Sequence, residues 1–343
     1  RSRVWQSYLN GKFHDDQISE LAAKFKFTAG QIGDAVKESR NLAVLDGRDR
    51  ESITIKDLYE GSRNQSNRKI STLARRIEAR YTWADIILPE DRIRQLREVS
   101  NHIKHRGLVY HDWRFDGKMS LGKGLNVLFL GPSGTGKTMA AEVMSTELGL
   151  DLYKIDLSSI VSKYIGETEK NLSRIFNEAE QSNAILFFDE ADALFGKRSE
   201  VRDSHDRYAN VEISYLLQKM EEHEGVVIMA SNLSGNIDDA FLRRMHFRIE
   251  FPFPDDAYRL RIWKSMMPEG APLAEDIDYE FLSRTLKISG GNIKNIIVNS
   301  AFLAADDSRT IEMKHIIAAT KREYQKMKMV CSQSEFGKYY DLK

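Results

Sequence analysis

Cysteine is almost absent from the sequence. Cys331 is the single cysteine among 343 residues, so the chain can form no internal disulfide and no cysteine-based metal site. Stability therefore has to come from burial of apolar side chains, for which a chain of this length is sufficient. The composition is typical of a protein from a reducing compartment, and we expect a cytoplasmic one.

Long apolar runs and an excess of one charge are missing as well. The longest apolar runs, such as residues 184–188 and 226–230, are far shorter than the roughly 20 residues that span a bilayer, so no transmembrane helix is expected. The 51 Lys and Arg residues equal the 51 Asp and Glu residues in number. Without a net electrostatic field, affinity for nucleic acid or for an anionic membrane would have to be local.

The sequence does contain a glycine-rich loop between an apolar run at 126–130 and a helix-forming segment at 139–148. Residues 131–138 read Gly-Pro-Ser-Gly-Thr-Gly-Lys-Thr, the GxxxxGK[ST] pattern of loops that bind phosphate through backbone N–H groups at a helix N-terminus. The pattern predicts ATP binding, with Lys137 at the β- and γ-phosphates and Thr138 at Mg²⁺. The predicted nucleotide contacts in this loop are Gly134, Thr135, Gly136, Lys137, Thr138 and Met139.

Strands and helices alternate after this loop. Apolar runs at 127–130, 152–156, 184–189, 226–231 and 247–251 are separated by segments of helical composition. The alternation predicts a doubly wound parallel α/β sheet. In such a sheet the nucleotide lies at the carboxyl ends of the strands, so functional side chains are expected there.

One of these runs ends in a cluster of acidic residues. Residues 185–188 are apolar throughout, as in a central strand that is covered on both faces, and Asp189-Glu190-Ala191-Asp192 follows. The pattern predicts that Asp189 holds Mg²⁺ and that Glu190 orients and polarises the attacking water. The alternative is that these two carboxylates merely cap a helix, and Asp192 is expected to be a capping residue.

Two further candidates follow the next predicted strand. Asn232 stands at its tip, where its amide is expected to hydrogen-bond the attacking water and a phosphate oxygen; the alternative is a turn asparagine. Arg243 and Arg244 come later, at the far end of the core from their own phosphate site. In a ring of copies they would reach a neighbour's γ-phosphate as arginine fingers, and the alternative is a surface ion-pair cluster.

The N-terminal part of the chain repeats the C-terminal part. Three short stretches recur in the same order, with residues 3–7, 26–32 and 53–56 resembling residues 261–265, 287–293 and 311–314. A shared four-helix plan is the simpler explanation, and two unrelated amphipathic bundles are the alternative. Because the second copy follows an ATPase core, we expect that the first copy does too. The chain, which begins without an initiator methionine, would then be a piece of a tandem ATPase.

The segment between the repeat and the core is basic. Residues 63–106 contain eleven Lys and Arg residues against five Asp and Glu residues. The basic residues are spread around the predicted helices and lack interleaved exposed aromatic residues. This distribution favours a solvated or subunit-facing surface over a track for nucleic acid, and binding of nucleic acid is not expected.

From about Trp83 to Lys328 the chain resembles the classical AAA ATPases. The resemblance rests on the loop at 131–138, the FFDEAD form of the acidic strand end, Asn232 as sensor 1 and the paired arginines in DDAFLRRM. It implies the α/β fold of a P-loop NTPase, an AAA core with an α-helical lid, and Mg²⁺ and ATP as ligands. It also implies a homo-oligomeric ring, which we expect to be a hexamer.

The resemblance assigns roles to further residues. Lys163, Tyr164 and Ile165 look like pore loop 1, in which Tyr164 would grip an extended polypeptide in the central channel; an aromatic residue at a buried helix end is the alternative. Gly291 and Asn292 lie at the start of a helix whose backbone, in members of the family, contacts the adenine and ribose of the nucleotide. The stretch that contains Ile86 is similar to the one that lines the adenine pocket in the family.

The expected division is a lid-like helical domain at 1–67 that remains from a preceding cassette, a helical connector at 68–120, the ATPase core at 121–254, the lid at 255–328 and a tail at 329–343. We expect an ATP-driven motor that threads or disassembles a polypeptide substrate. A nucleic-acid-handling ATPase and an ATP-switched assembly scaffold are the rival expectations. The chain is similar to bacterial tandem AAA proteins, some of which accompany contractile injection systems, so components of those systems are candidate partners.

Overall fold

Along the chain, a helical unit, an α/β unit and a second helical unit follow one another. The structure is a computed structural model and describes residues 1–25, 27–67, 74–118, 124–157, 167–182, 184–192, 204–232, 237 and 239–342. Within these ranges, no helix has both the length and the apolar character that crossing a bilayer requires.

The N-terminal unit packs its helices around a tryptophan. Trp5 is fully buried in one apolar cluster with Leu21, Ile32 and Val36. The unit also contacts the α/β unit, because the Arg63 guanidinium donates to the backbone carbonyl of Gly149 at 3.0 Å. Its helices are α1 (Ser2–Leu9), α2 (Asp15–Lys24), α3 (Ala29–Leu45) and α4 (Ile55–Asn67).

The central sheet of the described residues has the strand order β1-β3-β4-β5-β2-β6. Neighbouring strands run parallel, except that β1 is antiparallel to β3. The predicted doubly wound parallel sheet is therefore confirmed, and its strands β2 to β6 lie where the apolar runs predict them. The strands are β1 (Arg75–Ile77), β2 (Leu125–Leu130), β3 (Leu152–Asp156), β4 (Ile185–Asp189), β5 (Val226–Ser231) and β6 (Phe247–Glu250).

Both faces of the sheet are covered by helices. Side chains alternate between the two faces along each strand, so that Phe187 packs with α5 and α6 on one face while Phe188 packs with α7 and α8 on the other. This double burial explains why β2, β4 and β5 are nearly continuous apolar runs. The helices of this unit are α5 (Glu90–Lys104), α6 (Lys137–Leu148), α7 (Glu167–Ser182), α8 (Ser204–Glu222) and α9 (Asp239–Leu242).

The connector differs from the helical segment that the sequence predicts. It contains α5, but it also contributes β1, in which Arg75 lies opposite Lys154 and Ile77 lies opposite Leu152. Strand β1 covers what would otherwise be an unpaired strand edge on β3. A three-residue strand is too short to show an alternating pattern, which is why the sequence does not reveal it.

The C-terminal unit is a second helical bundle, and the chain end packs against it. Phe336 is fully buried in the core of this lid, and the rings of Phe281 and Tyr339 lie 4.6 Å apart. The segment expected to be a tail therefore forms part of the lid core. The helices are α10 (Asp256–Met266), α11 (Tyr279–Thr285), α12 (Gly290–Asp306), α13 (Met313–Lys326) and α14 (Gln333–Phe336).

The two helical units share details of their interiors. Helices α3 and α12 have 17 residues each, and both begin with a capping box, formed by Thr28 with Gln31 and by Ser289 with Asn292. Each helix buries a serine whose hydroxyl donates to the carbonyl four residues earlier. The buried positions correspond one to one, being Ile32, Ala35, Val36, Ser39 and Ala43 in α3 and Ile293, Ile296, Ile297, Ser300 and Ala304 in α12.

The correspondence extends to the helix that packs against each of these. In α4 the Ser62 hydroxyl donates to Leu58 at 2.6 Å, and in α13 the Thr320 hydroxyl donates to Ile316 at 2.7 Å. The same polar contact thus recurs at the same place in both units. That an ATPase core precedes the first unit stays a prediction.

Candidate active site

A cavity of about 540 Å³ lies where the carboxyl ends of the strands meet the lid. Its volume is within the ~300–1,000 Å³ that is usual for small-molecule sites. It brings together most of the predicted nucleotide residues, which are Ile86, Gly134, Thr135, Gly136, Lys137, Thr138, Met139, Asp189, Glu190, Asn232 and Gly291.

Two glycines of the loop between β2 and α6 lie so close to neighbouring atoms that a side chain would not fit. Gly131 has φ 145° and Gly134 has φ 76°, a region that L side chains rarely adopt. A Cβ atom at Gly131 would lie 2.1 Å from the carbonyl oxygen of Phe251, and one at Gly134 would lie 2.4 Å from the Ser289 hydroxyl. A residue with a side chain would therefore not fit at either position without a change in the shape of the loop.

Lys137 is held inside the same loop. Its side chain is almost buried, and its ammonium donates to the carbonyls of Gly131 (2.5 Å) and Pro132 (3.0 Å) and to Oδ1 of Asn232 (2.9 Å). Burial lowers the pKa of Lys137, although the nearby charges of Asp189 and Asp192 oppose this shift. A phosphate oxygen is a stronger partner for an ammonium than a neutral carbonyl is, so the site is suited to a phosphate group.

The acidic pair stands at the end of β4. Glu190 has φ 53°, an uncommon conformation for a residue with a side chain, and such conformations concentrate at functional sites. The backbone N–H of Glu190 donates to Oδ1 of Asp189 at 3.0 Å, while the Lys154 ammonium lies 2.5 Å from Oδ2 of Asp189. Asp189 and Thr138 line the same cavity, so their oxygens fit the expected role of holding Mg²⁺ beside a phosphate.

Asp192 makes contacts that the sequence does not predict, whereas its expected role as a helix cap concerns residues 193–203, which lie outside the described residues, and stays a prediction. Its carboxylate accepts hydrogen bonds from the Ser231 hydroxyl (2.5 Å) and from the backbone N–H (2.8 Å) and side-chain amide (3.1 Å) of Asn232. Because a carboxylate only accepts and an ammonium only donates, Asp192 and Lys137 fix the Asn232 amide with its nitrogen toward Asp192 and its oxygen toward Lys137. The sequence gives no sign of this contact, which joins two loops.

We therefore expect Asp192→Ala to lower ATP turnover about tenfold, which is about 1.4 kcal/mol of activation free energy, with little change in the dissociation constant for ATP. The physical reason is that the Asn232 amide loses the partner that fixes its orientation, whereas Asp192 does not line the cavity. Steady-state kinetics and nucleotide-binding measurements on the assembled protein check this. Asp46→Ala, which removes an exposed carboxylate of the N-terminal unit, is the control, and a tenfold loss of ATP affinity would contradict the assignment.

The connector and the lid also line the cavity. Ile86 lies there together with Tyr258, Ile262 and Met266, which the sequence analysis did not identify. These side chains supply the apolar and aromatic surface on which a nucleotide base can stack. They come from two separate units of the chain, so no local pattern predicts their meeting.

The Asn292 side chain makes contacts within the lid, and the nucleotide-binding role that the resemblance implies for this residue stays a prediction. Its side-chain oxygen accepts from the backbone N–H (3.2 Å) and hydroxyl (2.6 Å) of Ser289, and its nitrogen donates to Glu323 at 3.1 Å. Asn292 is not among the residues that line the cavity. Its side chain caps α12 and ties it to α13, and the backbone of Gly290 and Gly291 lines the cavity instead.

The predicted arginine fingers have contacts outside the cavity. Arg243 and Arg244 do not line the cavity; Arg243 donates to the carbonyl of Asp239 at 3.3 Å, and Arg244 pairs with Glu221 at 2.5 Å. The expected pore-loop residues Lys163, Tyr164 and Ile165 lie outside the described residues.

Comparison with known proteins agrees with this geometry. Residues 127–253 match the model of the "ATPase family associated with various cellular activities (AAA)". The chain is 33% identical over 199 residues to an ATP-dependent zinc metalloprotease FtsH from Lachnoclostridium phytofermentans, a match that covers 55% of the chain and 34% of that protein. It is 34% identical over 184 residues to a cell division cycle protein 48 homolog from Archaeoglobus fulgidus, covering 52% and 25%.

A third relative aligns over more of the chain. The match to a proteasome-activating nucleotidase from Saccharolobus solfataricus is 28% identical over 268 residues and covers 76% of the chain and 66% of that protein. The chain thus spans between 25% and 66% of the length of these relatives. The matched segment holds the phosphate loop, the acidic strand end and Asn232. Residues 127–253 therefore form an AAA ATPase domain.

Proposed function

We propose that this protein is an ATP-driven protein-remodelling motor that works as a ring of identical copies, expected to be a hexamer. One observation carries the proposal. The cavity contains the residues expected to bind ATP and to activate water, whereas Arg243 and Arg244 do not line it. A site that needs these arginines would be complete only at the boundary between two copies.

The residues of one copy would divide the chemistry among themselves. Lys137 would exchange its carbonyl partners for phosphate oxygens, which releases the Asn232 oxygen to accept a hydrogen bond from water. Glu190 would orient and polarise that water for attack on the γ-phosphorus. Thr138 and Asp189 would hold Mg²⁺, which neutralises phosphate charge when it is bound. Arg243 and Arg244 of a neighbouring copy would stabilise the charge of the transition state.

The named relatives support a polypeptide as the substrate. Two of them are an ATP-dependent protease and a proteasome-activating nucleotidase, and their names connect ATP hydrolysis with the handling of proteins. Because the chain covers only part of each relative, the substrate and the complete assembly are parts of this proposal. Components of contractile injection systems as partners, and a cytoplasmic location, belong to the same proposal.

Several basic side chains of the connector already have partners within the protein, which argues against the nucleic-acid alternative. Within the described part of the connector, Arg76 pairs with Asp151 at 2.9 Å, Lys104 pairs with Glu147 at 2.6 Å, and the Arg106 guanidinium donates to the Glu224 carbonyl. Cations that already have protein partners offer less charge to a phosphate backbone. Stimulation of ATP turnover by DNA or RNA, with a steep dependence on salt, would favour the alternative instead.

Replacement of Tyr164 by Ala tests the remodelling step. We expect the variant to keep ATP turnover within about twofold of the wild type and to lose at least tenfold in the unfolding rate of a tagged model protein. The reason is that an aromatic ring in a channel loop would grip the substrate without contacting the phosphates. Tyr164→Phe, which keeps the ring, is the matched control, and undiminished unfolding by Tyr164→Ala would refute threading through this loop.

A further inference from the structure

Lys154 lies on strand β3, next to the acidic end of β4. Its neighbours Leu152, Tyr153 and Ile155 are buried apolar residues, and Lys154 is the single basic residue of this strand. The Lys154 side chain is 38% exposed, that of Asp189 is 21% exposed, and Nζ lies 2.5 Å from Oδ2. The pair is thus partly shielded from water, where the attraction between opposite charges is stronger than at an open surface.

The sheet register explains how this contact arises. Strands β3 and β4 are parallel, with Lys154 opposite Phe187 and Asp156 opposite Asp189. Lys154 therefore stands two residues before the position that faces Asp189, on the same face of the sheet. The long lysine side chain spans that distance along the strand and brings its ammonium to the carboxylate from the direction of the sheet.

Lys154 contacts the Asp189 carboxylate, which is also an expected ligand of Mg²⁺. Oδ1 of Asp189 accepts from the Glu190 N–H and Oδ2 accepts from Lys154, so both oxygens already have a protein donor. Lys137, which lines the cavity, makes its hydrogen bonds to loop carbonyls and to Asn232. Among the residues that the structure describes, Lys154 is the cation seen in direct contact with Asp189.

Charge neutralisation gives this contact a consequence for nucleotide binding. A nucleoside triphosphate bound in the cavity brings several negative charges beside Asp189 and Glu190. Carboxylates repel these charges unless a cation lies between them. Mg²⁺ supplies that cation when it is present. Lys154 supplies a weaker one that is part of the protein.

We propose that Lys154 is the built-in counter-ion of Asp189, which substitutes for Mg²⁺ before the metal binds and is displaced from Asp189 by it. The inference rests on the nucleotide site described under the proposed function. It has two consequences for the wild-type protein. The protein binds ATP measurably without Mg²⁺, and Mg²⁺ strengthens that binding less than it would if Asp189 had no lysine partner.

The test measures binding of the fluorescent analogue N-methylanthraniloyl-ATP to the full chain, once in excess EDTA and once in excess Mg²⁺. The quantity of interest is the ratio of the dissociation constant in EDTA to that in Mg²⁺. In Lys154→Met we expect this ratio to rise at least fivefold over the wild type, chiefly because binding in EDTA weakens. Lys154→Arg, which keeps the charge, is expected to stay within about twofold of the wild type.

The matched control lies on the neighbouring strand. Arg76→Met removes a different ion pair at this edge of the sheet, that of Arg76 in β1 with Asp151 just before β3, and should leave the ratio unchanged. If Lys154→Met does not fold, as judged by thermal melting, Lys154→Gln replaces it.

A second measurement uses Asp189→Asn. Because the carboxylate is then gone, adding Lys154→Met to it should leave binding in EDTA unchanged.

The possible outcomes separate this inference from the proposed function. A ratio that is the same in Lys154→Met and in the wild type overturns the counter-ion role while leaving the nucleotide site intact. An equal effect of Arg76→Met overturns it too, since the effect would then come from the sheet edge in general. Failure of the wild type to bind the analogue under both conditions overturns the nucleotide site itself, and this inference with it.

Discussion

Replacing Glu190 by Gln is expected to lower ATP turnover of the assembled protein about a thousandfold, which is about 4 kcal/mol of activation free energy. Glu190 lines the cavity at the end of β4, and it has an unusual backbone conformation of the kind that concentrates at functional sites. Glutamine has nearly the same shape, so binding of ATP should stay within a few-fold of the wild type. Turnover assays and binding of a fluorescent ATP analogue measure the two effects separately.

The matched control is Glu222→Gln, the same change at an exposed residue that pairs with Lys219 at 2.7 Å. It should leave turnover unchanged. Turnover by Glu190→Gln within tenfold of the wild type would exclude Glu190 as the residue that activates water. If turnover is lost as expected, the variant held in ATP is also the form in which a substrate trapped in a central channel is visible by electron microscopy.

Loss of Arg243 or Arg244 is expected to lower turnover at least a hundredfold, because arginine fingers contribute about 10³–10⁵ in rate. Neither arginine lines the cavity of its own chain, so each would act on the site of a neighbour. The decisive measurement mixes two inactive variants. A copy with Arg243→Ala has an intact Glu190, and a copy with Glu190→Gln supplies Arg243 to it. In a random mixed ring about a quarter of the boundaries are then complete, and turnover should reappear.

Reappearance of turnover distinguishes action between copies from action within one copy. If Arg243 served its own site, no boundary in the mixed ring would be complete and the mixture would stay inactive. Arg248→Ala is the control, since Arg248 pairs with Glu250 at 2.8 Å on the exposed side of β6 and has no expected role. The same mixing with Arg244→Ala shows which of the two arginines reaches the neighbour.

The parts of the fold that could be predicted are those in which one stretch of chain determines its own structure. Strands β2, β4 and β5 are buried on both faces, so their sequences are apolar throughout and are recognisable without a partner. The loop at 131–138 needs glycine at fixed positions because the backbone turns sharply there, and this requirement is visible in the sequence. The repeat is visible because the same buried positions carry the same kinds of residue in α3 and α12.

The parts that could not be predicted depend on contacts between distant segments. Strand β1 exists because β3 has a free edge, and its three residues carry no pattern of their own. The role of Asp192 depends on Asn232, which arrives from the next strand, and that of Lys154 depends on the register between two strands. Asn292 matched a family position, but its neighbours Ser289 and Glu323 give its side chain another function.

The start of α12 is bonded directly to the phosphate loop, since the backbone N–H of Gly291 donates to the carbonyl of Gly134 at 3.0 Å. Neither glycine has room for a side chain at this crossing, where a Cβ at Gly291 would lie 3.1 Å from the Cα of Gly134. A rotation of the lid as a rigid body must therefore either break this bond or change the shape of the loop. The position of the lid and the shape of the phosphate loop are thus linked through a backbone hydrogen bond.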